Sequence, residues 1–159
     1  MQAAQAGSAS AIEALFRLHW PRAYRAAYLV VHDGAAAEDI AQEAFLAALR
    51  RLDRFDRGRP FGPWLHRIVV NRAIDWVRAR RLRAETELAD SSADEHVADL
   101  SDATVAALAT LSPEHRAVIV LRHLLGYTPG EIAELLELPR GTVNSRLRRG
   151  LDQLRETVA

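Results

Sequence analysis

Residues 127–147 read "YTPGEIAELLELPRGTVNSRL", and the rest of the chain is best understood from this stretch. Thr128, Pro129 and Glu131 carry a helix-start signature. The threonine hydroxyl accepts from the amide three residues on, Glu131 returns the bond, and proline suits the first helical position. About two turns of helix follow, with Ile132, Leu135 and Leu136 directed inward. A tight turn around Glu137–Pro139 then opens a second helix. Two helices on so short a turn predict a helix-turn-helix.

The second helix resolves by angle, at about 100° per residue. Val143, Leu147, Leu151 and Leu154 fall within about 80° of one another and form the buried stripe. Thr142, Ser145 and Arg149 lie opposite, with Arg146 and Arg148 on the flanks and Asn144 between stripe and flank. Arg can bond guanine bidentately, Asn can pair with adenine, and Ser can donate to base or phosphate. An amphipathic helix with solvated arginines is the bland alternative. The capped partner helix and tight turn in front of it favour DNA.

The net charge of zero over 159 residues hides segregation. Residues 1–83 hold 14 Arg against 8 acids, residues 84–115 hold 8 acids and no Arg, and residues 116–159 hold 7 Arg against 5 acids. Every basic residue is Arg, whose planar fork suits phosphate and base edges, although genome composition explains an Arg-only chain as well. There is no cysteine, which excludes disulfides, thiolate zinc sites and a cysteine nucleophile. No apolar run is long enough to span a membrane, and the N-terminus lacks the basic-then-apolar order of a signal peptide. Neither membrane insertion nor secretion is expected; a cytoplasmic protein is.

Periodicity predicts an all-α chain with helices over about 10–31, 36–53, 63–82, 102–110, 113–125, 129–136 and 140–157. "DRGRPFGP" (56–63) is a loop. "RAETELADSSADEHVADLSD" (83–102) is acidic and poor in large apolar side chains, so it reads as a flexible linker. The expected division is one helical domain over 1–83, a tether over 84–103 and a second domain over 104–159. The acidic block is also expected to compete with DNA for the basic faces.

Two segments of the first half stand out. In "AEDIAQEAFLAALRRL" (37–52), Ala41, Phe45, Ala48, Leu49 and Leu52 make an inner face. Asp39, Gln42, Glu43, Leu46 and Arg50 share the outer one. A leucine amid acids looks like a docking patch for a basic partner with one apolar anchor. A solvated helix with a stray leucine is the alternative. In "FGPWLHRIVVNRAIDWVRARRLR" (61–83), the first turns are apolar nearly all round, which implies burial. Arg67, Asn71, Asp75 and Arg78 line one face, and arginines cluster at 78, 80, 81 and 83. Phe61 and Trp76 are candidates to stack on unpaired bases, whereas Trp64, among Leu65 and Ile68, belongs to the core.

These segments resemble the short bacterial sigma factors of the extracytoplasmic-function (ECF) type, in the family's order and spacing across most of residues 11–157. "AEDIAQEAFLAALRRLDRF" is similar to the helix of sigma domain two that docks on the clamp helices of the largest subunit of RNA polymerase. "RPFGPWLHRIVVNRAIDWVRARR" resembles the segment that melts and reads the minus-ten promoter element. "LSPEHRAVIVLRHLLGYTPGEIAELLELPRGTVNSRLRRGLDQLR" resembles sigma domain four, which reads the minus-thirty-five element. The resemblance implies polymerase docking by Asp39, Gln42 and Glu43, with Leu46 beside them. It implies minus-ten contacts by Asn71, Asp75 and Arg78, with Arg67, Trp76 and Arg81 on the same helix. The loop about Arg57–Phe61 would capture a flipped base. It further implies base contacts by Asn144, Ser145 and Arg149 and phosphate contacts by Arg146 and Arg148, beside Thr142. Many relatives carry Arg or Lys where Asn144 stands. The implied partners are core RNA polymerase, promoter DNA and, for some members, an anti-sigma factor.

An enzyme is not expected. The six histidines, at 19, 32, 66, 96, 115 and 123, show no metal-ligand spacing, and no phosphate loop or nucleophile elbow is present. No cofactor or metal is expected. The rival reading is a regulator whose helix-turn-helix binds duplex DNA without polymerase. It requires a sensing or receiver domain, of which residues 1–83 carry no sign. A pure interaction module would not need the Arg-rich face at 142–149.

Overall fold

The computed structural model describes residues 1–86 and 100–159. Among the described residues, eight α-helices run in the order α1 (Gln2–Gln5), α2 (Ala9–Val31), α3 (Gly34–Arg50), α4 (Phe61–Thr86), α5 (Asp102–Ala109), α6 (Pro113–Ile119), α7 (Pro129–Leu136) and α8 (Arg140–Val158). No strand occurs among the described residues. Short polar side chains set most of the helix starts. Ser8, Asp33, Ser101, Ser112 and Thr128 each accept from the amide three residues on, satisfying a donor that the helix leaves without a partner. At α7 the expected capping box is complete: Glu131 N–H donates to the Thr128 hydroxyl at 3.2 Å, and Thr128 N–H to the Glu131 carboxylate at 2.9 Å.

Helices α2, α3 and α4 pack on one another as a first domain. Small side chains make this close packing possible: Ala23, Ala26, Ala27, Ala37, Ala41, Ala44 and Ala48 are all buried at the junction. Helices α5 to α8 form the second domain, in which Leu111, Val118, Leu121, Ile132 and Val143 are fully buried. Gly150 lets α8 lie close to α6, since a Cβ there would stand 3.1 Å from Ile119 Cγ1.

Three features depart from expectation. The helix foreseen over 113–125 is α6 followed by one turn of π-helix over Val120–Leu124, closed by Leu125 N–H on the Val120 carbonyl. Helix α4 continues through 84–86, inside the expected linker, while most of that linker (87–99) lies outside the described residues. The third departure matters most. The two domains are not held apart. Their buried residues form a single apolar cluster, and α4 and α2 both pack against the second domain.

Candidate nucleic-acid interface

The outer face of α8 follows its helical periodicity. Val143 and Leu147 are buried under α6 and α7, while Leu151 and Leu154 pack half-buried against the same core. Asn144, Arg148 and Arg149 are exposed, with Thr142, Ser145 and Arg146 half-buried beside them. Glu137 ends α7 in the left-handed conformation, at φ +55°, and so makes the tight turn that swings α8 outward.

On α3 the split foreseen by angle also holds. Ala41, Phe45, Ala48 and Leu52 are buried, and Asp39, Gln42, Glu43 and Arg50 are exposed. Leu46 stands 52 % exposed among them. Glu43 accepts from Arg72 of α4 at 3.0 Å, and Gln42 donates to Glu38 at 3.4 Å. An apolar side chain is thus presented on a fixed polar rim.

The α4 face differs. Asn71, Asp75, Arg78 and Arg81 are exposed and Arg67 is half-buried, but the side chains at its two ends are engaged by the second domain. Arg78 donates to Glu114 of α6 through Nε at 2.9 Å and Nη2 at 2.6 Å. Arg67 pairs with Glu137 at the end of α7. Burial pushes the Glu114 carboxyl upward. The Arg78 hydrogen bonds, its own backbone amide and the nearby charges of Arg78 and Arg146 outweigh that and hold it below the usual carboxylate range. Glu114 therefore stands in the field of one arginine from each expected DNA reader.

Beneath these pairs lies a buried polar seam. Arg116, 4 % exposed, donates to the carbonyls of Leu108, Ala109 and Leu111 and, across the domain boundary, to that of Val30. Val30 lies in the last turn of α2, and Leu108 and Ala109 in the last turn of α5. One guanidinium thus satisfies the carbonyl ends of two helices and sits at the negative pole of each. Burial, and then the charge of Arg81, lower its pKa to about 10, so it stays charged at neutral pH. In the reverse direction, Arg22 of α2 donates to the Leu125 carbonyl at 2.8 Å, just past the π turn. His66, 2 % exposed, shares a 2.6 Å hydrogen bond with the Tyr127 hydroxyl. Burial first, then Arg22 and His19, lower the His66 pKa to about 4 and leave the ring neutral. Burial also pushes Tyr127 up to about 12, with Arg22 acting against it and Glu131 with it.

A cavity of about 1010 Å³ opens beside this seam. Arg51, Arg54, Arg59 and Arg67 line it from the first domain, together with Phe55 and Trp64, and Tyr127, Glu131, Glu134 and Leu135 face them. The aromatic assignments need correcting here. Phe61, expected to stack on a base, is 6 % exposed and packed among His19, Phe45, Phe55 and Trp64, so the core holds it. Trp64, expected in the core, is half-buried on the cavity wall at 4.7 Å from the Phe55 ring. Trp76 is half-buried under Arg80, whose guanidinium carbon lies 5.1 Å from the ring centroid. Arg57 is exposed on the loop.

The sequence reading missed the seam residues Arg22, His66, Glu114, Arg116, Tyr127 and Glu137. Two left a legible signal. His66 lies within "WLHRIVV", a run read as buried all round, and Arg116 interrupts the apolar "HRAVIVL". A polar group on a buried face has to find partners, and these two find them across the domain boundary.

Comparison with known proteins agrees with this arrangement. Residues 15–83 match sigma-70 region 2, and residues 101–154 match sigma-70 region 4. The chain is 35 % identical over 159 residues to the RNA polymerase sigma factor CarQ of Myxococcus xanthus, covering 96 % of this chain and 91 % of that one. It is 33 % identical over 170 residues to the ECF sigma factor SigW of Bacillus subtilis, with the same coverage. Against the ECF sigma factor SigE of Mycolicibacterium smegmatis it is 37 % identical over 156 residues, spanning 91 % of this chain and 60 % of that protein. Among solved structures it is similar to the sigma factor RpoE in complex with the anti-sigma factor NepR from Bartonella quintana, at TM-score 0.74 and 25 % identity over 92 % of this chain and 95 % of that one. It is also similar to CnrH in complex with the cytosolic domain of CnrY, at TM-score 0.74 and 28 % identity over 98 % and 92 %. The match to region 2 accounts for the half of the molecule that a duplex-binding regulator leaves unexplained. The chain belongs to the extracytoplasmic-function family of RNA polymerase sigma factors, proteins that direct the polymerase to promoters.

Proposed function

We propose that the chain works through three surfaces, used in order. The outer face of α3, with Asp39, Gln42, Glu43 and the Leu46 anchor, docks on the clamp helices of the largest polymerase subunit. The outer face of α8 reads the minus-thirty-five duplex, with Asn144, Ser145 and Arg149 on base edges, Arg146 and Arg148 on phosphates, and Thr142 beside them. The α4 face, with Arg67, Asn71, Asp75, Trp76, Arg78 and Arg81, reads the melted minus-ten strand, and Arg57 contacts it from the loop. The working division is residues 1–83, 84–103 and 104–159. The protein performs no catalysis of its own, uses no cofactor or metal, and acts in the cytoplasm. By likeness to the two solved complexes, an anti-sigma factor is a further partner.

The observation that carries this reading is the α3 face: an exposed leucine on a polar rim, in the domain that matches sigma-70 region 2. The test is transcription by purified core polymerase on fragmented host DNA, with and without the protein, mapping transcript starts. New starts sharing two upstream elements at fixed spacing are expected. No new starts and no co-elution with core would overturn the reading.

A further inference from the structure

Resting on that reading, we infer that the second domain is an intramolecular competitor for the minus-ten strand, with the carboxylates of Glu114 and Glu137 occupying the places of two DNA phosphates on Arg78 and Arg67. Three observations meet here. The two arginines at either end of the expected strand-reading face of α4 each carry a carboxylate from the other domain. The cavity beside Arg67 has a related polarity: Arg51, Arg54 and Arg59 on the first-domain wall, where Asp56 is the one acid, Glu131 and Glu134 opposite, and the half-buried Trp64 ring between. A mainly basic wall with a half-buried aromatic ring suits a single strand, and the facing acids repel its phosphates. Finally, the acids do not hold the domains together. Arg67 and Arg78 keep 40 % and 56 % of their side-chain surface exposed, so their pairs are weak. Closure rests on the apolar seam and on Arg116, Arg22 and His66. The carboxylates are therefore free to act as occupants that a stronger polyanion displaces.

The acidic block at 84–115 was to compete for the basic faces; within its described part, Glu114 makes that contact, and Glu137 outside the block joins it. Competition is intramolecular, so even weak carboxylate pairs act at high effective concentration. When polymerase separates the domains, the competitor is withdrawn and the face is exposed where the melted strand arrives.

The test uses the full chain and a fluorescein-labelled single-stranded oligonucleotide of 20 nucleotides in mixed sequence, titrated at several salt concentrations. Glu114→Gln with Glu137→Gln should tighten binding about tenfold and steepen the salt dependence by about 1.4 in log–log slope, the signature of two further phosphate contacts on a single strand. Adding Arg67→Ala and Arg78→Ala should abolish the gain. Glu13→Gln with Glu156→Gln, which changes net charge equally on other elements, should leave affinity at the starting level. Promoter transcription with core polymerase should be equal for the native chain and the Glu114/Glu137 variant. Unchanged strand affinity in a variant that still programmes polymerase would overturn the inference and leave the sigma reading intact. A gain that survives loss of both arginines, or that the Glu13/Glu156 control reproduces, would overturn it as a bulk charge effect. A native chain that fails to programme polymerase would remove the reading on which the inference rests.

Discussion

The two expected DNA readers sit in opposite circumstances. On α8, Asn144, Arg148 and Arg149 face solvent and have no ion pair among the described residues. On α4, Arg67 and Arg78 are paired with carboxylates of the other domain and the helix is packed against α6 and α7. Both helices carry arginines on a polar face, and sequence alone cannot tell the two situations apart. The difference lies in what each helix packs against. Helix α8 spends its apolar stripe within its own domain, whereas the first turns of α4 are apolar nearly all round and bury surface on two sides. In this arrangement the face proposed to read duplex is open, and the face proposed to read the strand is occupied at its two ends.

The contrast breaks most directly at Arg116. Replacing it with Met leaves the carbonyls of Val30, Leu108, Ala109 and Leu111 without their charged donor. Urea unfolding should show a loss of about 3–5 kcal/mol, since each charge-assisted bond contributes about 1.5–3 and the four do not add fully. Arg149→Ala should move stability by no more than about 0.5 kcal/mol. Similar losses at both positions would mean the seam contributes little.

Acid should loosen the seam next. Neutral His66 takes up a proton at about 4 in the folded chain but near 6.5 when unfolded, so falling pH favours the unfolded or opened form. Stability should be full above pH 6.5 and fall by about 1.4 kcal/mol per pH unit between 6.5 and 4 for this group, roughly 3 kcal/mol in all. His32, lowered to about 4 by burial and then by Arg116, adds a loss of the same sign. Denaturation followed across pH should therefore show a slope that His66→Gln reduces but does not remove; an unaltered slope would exclude His66 from the coupling.

On the open side, Arg149→Ala should lower discrimination at one minus-thirty-five position by about 1–3 kcal/mol in duplex-binding assays. Equal losses on every sequence would make Arg149 a phosphate contact. The smallest effect concerns the frame beneath it. Thr128→Ala removes the cap of α7 and should cost about 1 kcal/mol of stability, with base discrimination unchanged.

What the sequence made legible follows from how local each feature is. The capping box at Thr128 and Glu131, the buried stripe at Val143 and Leu147 and the exposed Leu46 all depend on residues within two turns of one another, so periodicity finds them. Arg116 and Val30 are 86 residues apart and His66 and Tyr127 are 61, and no local pattern joins such partners. Phe61 is buried against expectation, and Trp64 packs on the core with only part of its ring covered, for a related reason. Three residues apart at the start of α4, they differ in outcome because His19 and Phe45 close over the first, while the second keeps a face on the cavity. Helical angle does not report which side a neighbouring loop covers.

The π turn at Val120–Leu124 has a consequence for insertions and deletions. It holds one residue more than the α-helical path from Val120 to Leu125 would, and one residue of helix corresponds to a rotation of about 100°. A chain one residue shorter here would carry a regular helix and leave α7 and α8 internally unaltered. The Leu125 N–H that closes on the Val120 carbonyl would simply become an ordinary α-helical bond, so the Leu125 carbonyl and the Tyr127 hydroxyl would keep their places before Arg22 and His66. This turn is therefore a place where the chain can lose a residue without disturbing the contact between the domains, whereas the same loss inside α2 or α4 would rotate everything beyond it by about 100°.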